Sequence, residues 1–279
     1  MPDHIGSGLA PFPALLAAAE ATDSIRLGTL VLDNDFRNPV VLGQEAATVD
    51  LLTEGRLELG LGAGWLGTDY ARTGIKFDAP GVRFDRFKEA FQIIDKYLRG
   101  EEFSFDGTHY QVHDVKPVAS TQRPRPPLLI GGGGERLLGF AARNADIISV
   151  FFKSLADGTG FDLSEINARS IEAKAELIRN QAGDRFEDLE LNVLLQYFEV
   201  TNDANVVAGK RAAEFKKESR SLQMTSDDVL QLPTELIGSH DEIVERLIRN
   251  RERYGVSYVT VPERYMQEFA PVIDRLAGT

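Results

Sequence analysis

Apolar β-rich runs alternate along the chain with longer stretches of helical period, which is the βαβα pattern of parallel sheets. The runs predict about six strands. Most are unbroken apolar segments, as expected where helices cover both faces of a sheet. The predicted strands span residues 25–32, 57–61, 128–131, 147–151, 191–200 and 258–261.

The stretches of helical period predict helices between these strands, and two of them begin with recognisable signals. Ser239 followed by Glu242 is a capping box, and Pro39 behind Asn38 places a proline in a first helical turn beside a capping side chain. The predicted helices span residues 13–21, 39–52, 83–98, 136–143, 163–180 and 241–254, with approximate ends.

Two segments interrupt the alternation, at about 66–81 and 100–127, and we interpret both as insertions on one scaffold. The first carries several glycines, and we expect no helix directly after Gly67. In the second, Phe103 and Phe105 alternate with polar residues, and Asp106–Gly107 favours a tight turn, which predicts a β-hairpin. The sequence therefore predicts one α/β domain over residues 1–279.

Composition narrows the class of protein. Hydrophobic residues make up 43% and charged residues 27% of the 279 residues, which are globular values. The absence of cysteine, of a signal peptide and of a long apolar run predicts a cytoplasmic protein without disulfides or a membrane partner. A net charge of -12 without a basic cluster argues against nucleic acid as a partner.

The sharpest motif is GRLELGLGAGW at residues 55–65, an apolar strand that ends in alternating glycines. Gly62, Ala63 and Gly64 would let the backbone approach a flat or anionic ligand closely. Gly62, Gly64 and Gly67 also fit G-x-G-x-x-G, but a dinucleotide fold needs a helix immediately after it. We favour a ligand pocket, and relief of crowding at a strand end is the alternative.

A second motif, PRPPLLIGGGGERLL, leads from a buried strand into a helix near Glu135. The backbone amides of its four glycines could receive an anion, although the lysine and hydroxyl of a P-loop are missing. A flexible strand-to-helix turn is the alternative. The glycines are Gly131, Gly132, Gly133 and Gly134.

The segment LVLDNDFRNP follows a strand and places Asp33, Asn34, Asp35 and Arg37 at the end of the sheet where both glycine turns lie. Sites in barrels and parallel sheets are built from the loops after the strands. We therefore expect these turns to share one hollow, with a solvated loop as the alternative.

Few other side chains suggest chemistry. Trp65 would wall a flat ligand or fill a gap in the core. His4, next to Asp3, lies so near the terminus that disorder is the ordinary expectation. His109, His113 and His240 are predicted at the surface, and no metal site is predicted.

The segments NPVVLGQEAATVDLLTEGRLELGLGAGW and PPLLIGGGGERLL resemble the bacterial luciferase-like superfamily of flavin-dependent monooxygenases and deazaflavin-dependent oxidoreductases, the latter using coenzyme F420. The resemblance extends to TELIGSHDEIVERLIRNRERYGVSYVTV and covers nearly the whole chain. It implies a TIM-type (β/α) barrel and, at the family level, a homodimer.

The chain departs from the family's eight-stranded pattern, because it opens at PDH, which resembles the end of the second barrel strand. This predicts an N-terminally incomplete barrel with about six strands. A start further upstream, a partner chain that closes the gap and a reduced barrel all remain open.

The resemblance also implies roles for individual residues. His4 matches a catalytic histidine beside the cofactor ring, and Leu30 and Val31 match a bulge, often with a non-proline cis peptide, that supports the ring. Asp33 stands where relatives often have a small hydroxyl residue, and its carboxylate would repel a phosphate. The implied cofactor-binding set is Asp3, Leu30, Val31, Asp33, Gly62, Ala63, Gly64, Trp65, Gly131, Gly132, Gly133 and Gly134.

The leading functional hypothesis is an oxidoreductase that transfers a hydride between reduced coenzyme F420 and a small organic substrate. An FMN-dependent monooxygenase that uses molecular oxygen is the first alternative, and a non-catalytic flavin-binding or degenerate subunit is the second. The loops at 66–81 and 154–162 match no substrate chemistry, so the substrate stays open.

Overall fold

Helices and mostly parallel strands alternate along the chain. The computed structural model describes residues 1–6, 8–219 and 222–277. Two compact units can be distinguished, the first formed by Met1–Gly131 with Ser154–Gly160 and the second by Gly132–Lys153 with Phe161–Thr279. Among the described residues, no helix combines the length and the apolar character needed to cross a bilayer.

In the first unit, the six-residue strand Leu57–Gly62, named β3, is the centre of a parallel sheet and is buried along its whole length. Strands β1, β2 and β6 all pair with it in parallel. The elements in chain order are α1 (Pro11–Glu20), β1 (Leu27–Gly28), β2 (Leu32–Asp33), α2 (Pro39–Leu52), β3 (Leu57–Gly62), α3 (Gly67–Thr73), α4 (Pro80–Arg99), β4 (Phe103–Asp106), β5 (Gln111–Val115) and β6 (Leu128–Gly132).

The predicted hairpin is confirmed, since β4 and β5 pair antiparallel. Its turn is longer than the expected Asp106–Gly107 pair, because four residues, 107–110, separate the strands. Glu89 of α4 explains this turn: its carboxylate accepts hydrogen bonds from the backbone nitrogens of Thr108, His109 and Tyr110.

A buried carboxylate at the end of α2 holds the segment that leads into β6. Asp50 is fully buried and accepts hydrogen bonds from the backbone nitrogens of Thr121 and Gln122, at 2.7 and 3.0 Å, and from the side-chain amide of Gln122. These bonds fix the irregular segment before β6 although it contributes no regular structure of its own.

In the second unit, β7, β8 and β11 form parallel pairs, and β9 and β10 form a separate parallel pair. Apolar side chains from β9, β10, α9 and α10 share one buried cluster, which includes Phe198, Leu236, Ile243 and Phe269. The elements are α5 (Glu135–Asn144), β7 (Ile147–Val150), α6 (Ala168–Ala182), β8 (Glu190–Leu194), β9 (Tyr197–Val200), α7 (Ala204–Glu218), α8 (Ser226–Leu230), β10 (Glu235–Gly238), α9 (His240–Tyr254), β11 (Val256–Thr260) and α10 (Met266–Leu276).

Several sequence predictions need correction. The predicted strand 25–32 is two short strands, and the predicted strand 191–200 is β8 and β9, which pair in different sheets. The predicted helix 163–180 begins only at Ala168, after a short 3₁₀ turn. The prediction of no helix directly after Gly67 is wrong, because α3 begins at that residue.

The helix starts that carried clear signals were predicted correctly. Ser239 and Glu242 form the capping box of α9, and the side chain of Asn38 accepts from the backbone nitrogens of Val40 and Val41 ahead of α2. Local capping chemistry therefore fixed these two ends, independently of what the helices pack against.

Candidate functional site

Three turns singled out from the sequence lie at one edge of the first unit's sheet. Asp33 at the end of β2 pairs with Gly62 at the end of β3, and Leu61 pairs with Ile130 of β6. Since all three strands run in the same direction, the turns at Asn34, Gly62 and Gly131 follow strand ends at a common edge. This convergence is confirmed, whereas a shared hollow stays a prediction.

The first residues of the chain run alongside this sheet and are ordered by it. The backbone nitrogen of Met1 donates to the carbonyl of Gly28 at 2.8 Å, and the nitrogen of Leu30 donates to the carbonyl of Met1 at 2.9 Å. Asp3 then accepts from the backbone nitrogen of Asp33, at 3.1 Å, and from the guanidinium of Arg37, at 2.6 Å. The expectation that terminal His4 would be disordered is therefore wrong.

His4 has a carboxylate partner and an aromatic neighbour. Its Nδ1 lies 2.7 Å from Oδ2 of Asp69, and its ring meets Trp65 edge-on with centroids 5.8 Å apart. The Asp69 side chain is 3% exposed while that of His4 is 36% exposed. The carboxylate is thus enclosed by protein and the imidazole reaches solvent.

Asp69 was missed by sequence reasoning, because it falls in a segment interpreted as an insertion. It lies in the first turn of α3, and Arg72, one turn later, donates to it at 3.4 Å. The available signal was its position four residues after Trp65, which places both residues next to the glycine motif.

Leu30 and Val31, which the family resemblance linked to ring support, are joined by a cis peptide bond. Both residues are partly exposed. A Cβ atom at Gly62 would lie 2.8 Å from Cγ2 of Val31 and 3.6 Å from the carbonyl oxygen of Gly131. Glycine at position 62 therefore allows the Val31 side chain to lie against the end of β3.

The Asp33 carboxyl group turns towards the chain's own polar groups. It accepts from the backbone nitrogen of Asp35 at 2.9 Å and from the hydroxyl of Tyr70 at 3.1 Å. Burial, reinforced by the charges of Asp35 and Asp3, raises the pKa of Asp33 to about 7. The carboxyl is therefore partly protonated near neutral pH, which weakens the repulsion expected between it and a phosphate.

Asp35 differs from Asp33 because it has a cationic partner. Two nitrogens of Arg86 reach its two oxygens at 2.8 and 2.6 Å, a bidentate arrangement that stabilises the charged carboxylate. The Tyr70 hydroxyl also lies 3.0 Å from Oδ2 of Asp35, so its single hydrogen is shared between the two carboxyl groups. Together these residues form a buried polar support under the glycine turn.

Gly64 is required by packing within this support. Its φ is +76°, and a Cβ atom at this position would overlap the Tyr70 hydroxyl and approach the Asp33 carboxyl. The Arg83 guanidinium reaches the Gly64 carbonyl at 3.4 Å. The alternative interpretation of this glycine, relief of crowding, is therefore supported.

In the second unit, the three glycines ahead of α5 differ from each other. A Cβ atom at Gly132 would overlap Leu137, and one at Gly133 would overlap the backbone of Phe151 and Phe152. At Gly134 it would meet nothing within 4 Å. Gly134 is also the N-cap of α5 and offers no capping side chain, so its surroundings leave room for a ligand.

The remaining histidines lie away from this chemistry. His109 contributes a backbone nitrogen to the Glu89 contact, His113 is exposed on β5, and His240 begins α9. Among the residues that the structure describes, no group of three or more histidine, aspartate or glutamate side chains is arranged to hold a metal ion.

Comparisons with known proteins identify related chains. The family model for luciferase-like monooxygenases matches residues 1–258. An F420-dependent glucose-6-phosphate dehydrogenase of Amycolatopsis mediterranei is 33% identical over 144 residues, which is 51% of this chain and 42% of the relative. The chain thus spans less than half the length of that curated relative.

Two solved structures share the fold. The F420-dependent tetrahydromethanopterin reductase of Methanopyrus kandleri has a TM-score of 0.73 and 17% identity, over 98% of this chain and 87% of its own. The monooxygenase RslO1 of Streptomyces bottropensis has a TM-score of 0.72 and 20% identity, over 96% and 83%. The predicted fold class, a luciferase-like α/β fold of the TIM-barrel type, is confirmed.

Proposed function

The chain belongs to the luciferase-like monooxygenase family, and we propose that it is an oxidoreductase that transfers a hydride between coenzyme F420 and a small organic substrate. The observation that carries this proposal is the partly exposed His4, bonded to the buried carboxylate of Asp69 and flanked by Trp65. The coenzyme, when bound, supplies or accepts the hydride.

His4 donates or accepts the proton that accompanies this hydride transfer. Because the Asp69 carboxylate only accepts, Nδ1 of His4 carries the hydrogen of their bond, and Nε2 is left as the nitrogen that exchanges a proton with the substrate. The short bond also fixes the orientation of the ring. Asp69 is therefore a positioning residue that acts through His4.

The exposed sides of Leu30, Val31 and Trp65 suit a flat ring. They are partly exposed and lie at the carboxyl edge of the first unit's sheet, beside a glycine turn without bulky side chains. Apolar surface that stays accessible at a strand end is typical of cofactor sites. The residues present therefore fit a flavin-like group.

The glycine turn of the second unit, considered by itself, suits a phosphate group. The open space at Gly134 and the uncapped first turn of α5 leave backbone N–H groups available to an anion, and the helix dipole favours negative charge there. Gly132 and Gly133 support this turn by packing.

Two observations favour F420 over FMN as the cofactor. The relative from Amycolatopsis mediterranei and the reductase from Methanopyrus kandleri are both F420-dependent by name. The structural likeness to the monooxygenase RslO1 favours the second candidate function, an FMN-dependent monooxygenase. Glucose 6-phosphate is the substrate of the named relative and is not carried over to this chain.

The proposal is tested by titrating the purified chain with F420 and with FMN in parallel, followed by absorbance and fluorescence. We expect saturable binding of F420, and hydride exchange with at least one member of a panel of small alcohols, aldehydes and enones. Tight FMN binding with oxygen consumption would replace the proposal by the monooxygenase. Binding without turnover on the whole panel would favour a non-catalytic subunit.

A further inference from the structure

A cavity in the second unit lies outside all the residues discussed so far. It has a volume of about 440 Å³ and is lined by the C-terminal half of α9 and the end of α8. That volume is in the range of small-molecule sites, about 300 to 1,000 Å³.

One face of α9 presents nitrogen donors to this cavity. Arg246, Arg249, Asn250 and Arg253 all line it, and their spacing of three, four and seven residues places them on the same side of a helix. The chain has a net charge of -12, so three arginines around one cavity are a local exception to its overall negative charge.

The three arginines differ in the hydrogen-bond and ion-pair partners that the protein provides for their guanidinium groups. Arg253 is paired with Glu172 at 3.2 and 2.9 Å, and Arg249 reaches Glu245 at 3.5 Å. Arg246 reaches the Glu235 carbonyl at 3.4 Å, and no carboxylate of the described chain forms an ion pair with it. Burial lowers the pKa of Arg246 from its ordinary value, so an anion beside it would be stabilising.

Asn250 supplies the second, independent observation. The residue is 7% exposed, and its amide nitrogen has no hydrogen-bond partner within the described residues. A buried donor without an acceptor is uncommon in folded proteins, and it is often explained by a water or ligand that accepts its hydrogen bond. Asn250 lines the cavity, and a rotation of its amide, whose nitrogen is now closed to solvent, would present this donor to an acceptor bound there.

We propose that this cavity binds a small molecule through an oxyanion, a carboxylate or a phosphate, held by Arg246 and Asn250 with Arg249 at the edge. Guanidinium forks match both groups geometrically. Glu252, which also lines the cavity, favours an anion of low charge. This site is independent of the cofactor site proposed above.

The test is calorimetric titration of the full chain with inorganic phosphate and, separately, with malonate at constant ionic strength. We expect one of the two anions to bind saturably with a Kd of about 1 mM or tighter, and the identity of that anion distinguishes phosphate from carboxylate recognition. Absence of saturable binding of both anions overturns the proposal.

Variants localise the binding. R246Q should weaken it by about tenfold or more, and R249Q by a smaller factor, since Arg246 has no carboxylate partner and Arg249 has one. R251Q removes the same charge from α9 outside the cavity and should leave Kd within about twofold. Equal weakening by R246Q and R251Q overturns the proposal. If R246Q does not fold, weaker anion binding by R249Q than by R251Q supports the proposal, and equal binding by these two variants overturns it.

Discussion

Nδ1 of His4 lies 2.7 Å from the Asp69 carboxylate, although 65 positions separate the two residues in sequence. If His4 is the proton carrier, His4→Ala should lower kcat by about 100-fold. His113→Ala, which removes an exposed histidine from β5, should leave kcat unchanged. Both are measured as hydride transfer to the substrate found in the panel, and full activity of the His4 variant would remove it from the mechanism.

Asp69→Asn tests positioning separately from proton transfer. The amide can turn a donor towards Nδ1 of His4, which then no longer holds its hydrogen and leaves Nε2 unable to accept a proton, so we expect kcat to fall by about tenfold. KM should change little, because Asp69 is enclosed by protein. A fall in kcat that is matched by a loss of thermal stability would indicate a structural role only.

The raised pKa of Asp33 predicts how stability depends on pH. The folded carboxyl retains its proton up to about pH 7 and the unfolded one loses it near pH 3.8, so the folded state binds more protons between these values. The free energy of unfolding should therefore decrease as pH rises from about 4 to 7 and level off above that range.

Asp33→Asn removes this dependence. Its amide keeps an acceptor for the backbone nitrogen of Asp35 and gains a donor towards Tyr70. The free energy of unfolding of the variant minus that of the natural chain should therefore increase by on the order of 2 to 4 kcal/mol between pH 4 and pH 8. Urea unfolding at several pH values measures it, with Asp23→Asn at the surface as control. Parallel stability curves for the natural chain and Asp33→Asn would contradict the raised pKa.

The glycines before α5 provide a matched pair. Gly134→Ala adds a methyl group where there is open space, so stability should change by less than about 1 kcal/mol while the affinity of this turn for phosphate falls. Gly133→Ala forces the methyl group into the backbone of Phe151 and Phe152 and should cost about 2 kcal/mol or more. Thermal unfolding and titration with inorganic phosphate separate the two effects, and unchanged phosphate affinity in Gly134→Ala would show that this turn is not an anion site.

Asp50 should be among the buried positions at which a substitution lowers stability most. Asp50→Ala leaves two backbone nitrogens and one side-chain amide without their acceptor, which predicts a loss of about 3 kcal/mol or more. Glu45→Ala, on the exposed face of the same helix, should cost within about 0.5 kcal/mol. Urea unfolding checks both, and similar values would show that the Asp50 contacts contribute little.

Local signals in the sequence identified much of the scaffold. The buried run at β3, the cap at Asn38 and the capping box at Ser239 are determined by neighbours in the chain, and they were placed closely. The run 191–200 is mostly apolar, with Asn192, Gln196 and Glu199 as its polar residues, and nothing in that pattern reveals that it divides between two sheets.

The polar contacts of the candidate site could not be read in the same way. Arg86 reaches Asp35 from 51 positions away, and His4 reaches Asp69 from 65. Such pairs form because the fold brings helix faces to a strand end, and no periodicity encodes them. The glycines were recognised from sequence, but only the structure separates those that avoid internal overlap from Gly134, which faces open space.

The division between β8 and β9 occurs within a single step of the backbone. Leu195 donates its N–H to Thr260, and Gln196 donates its own to Thr234. Because adjacent residues form hydrogen bonds with different segments, inserting or deleting one residue here would shift the register of one strand pairing relative to the other. Over evolutionary time the length of this junction should thus be held constant even where its side chains vary.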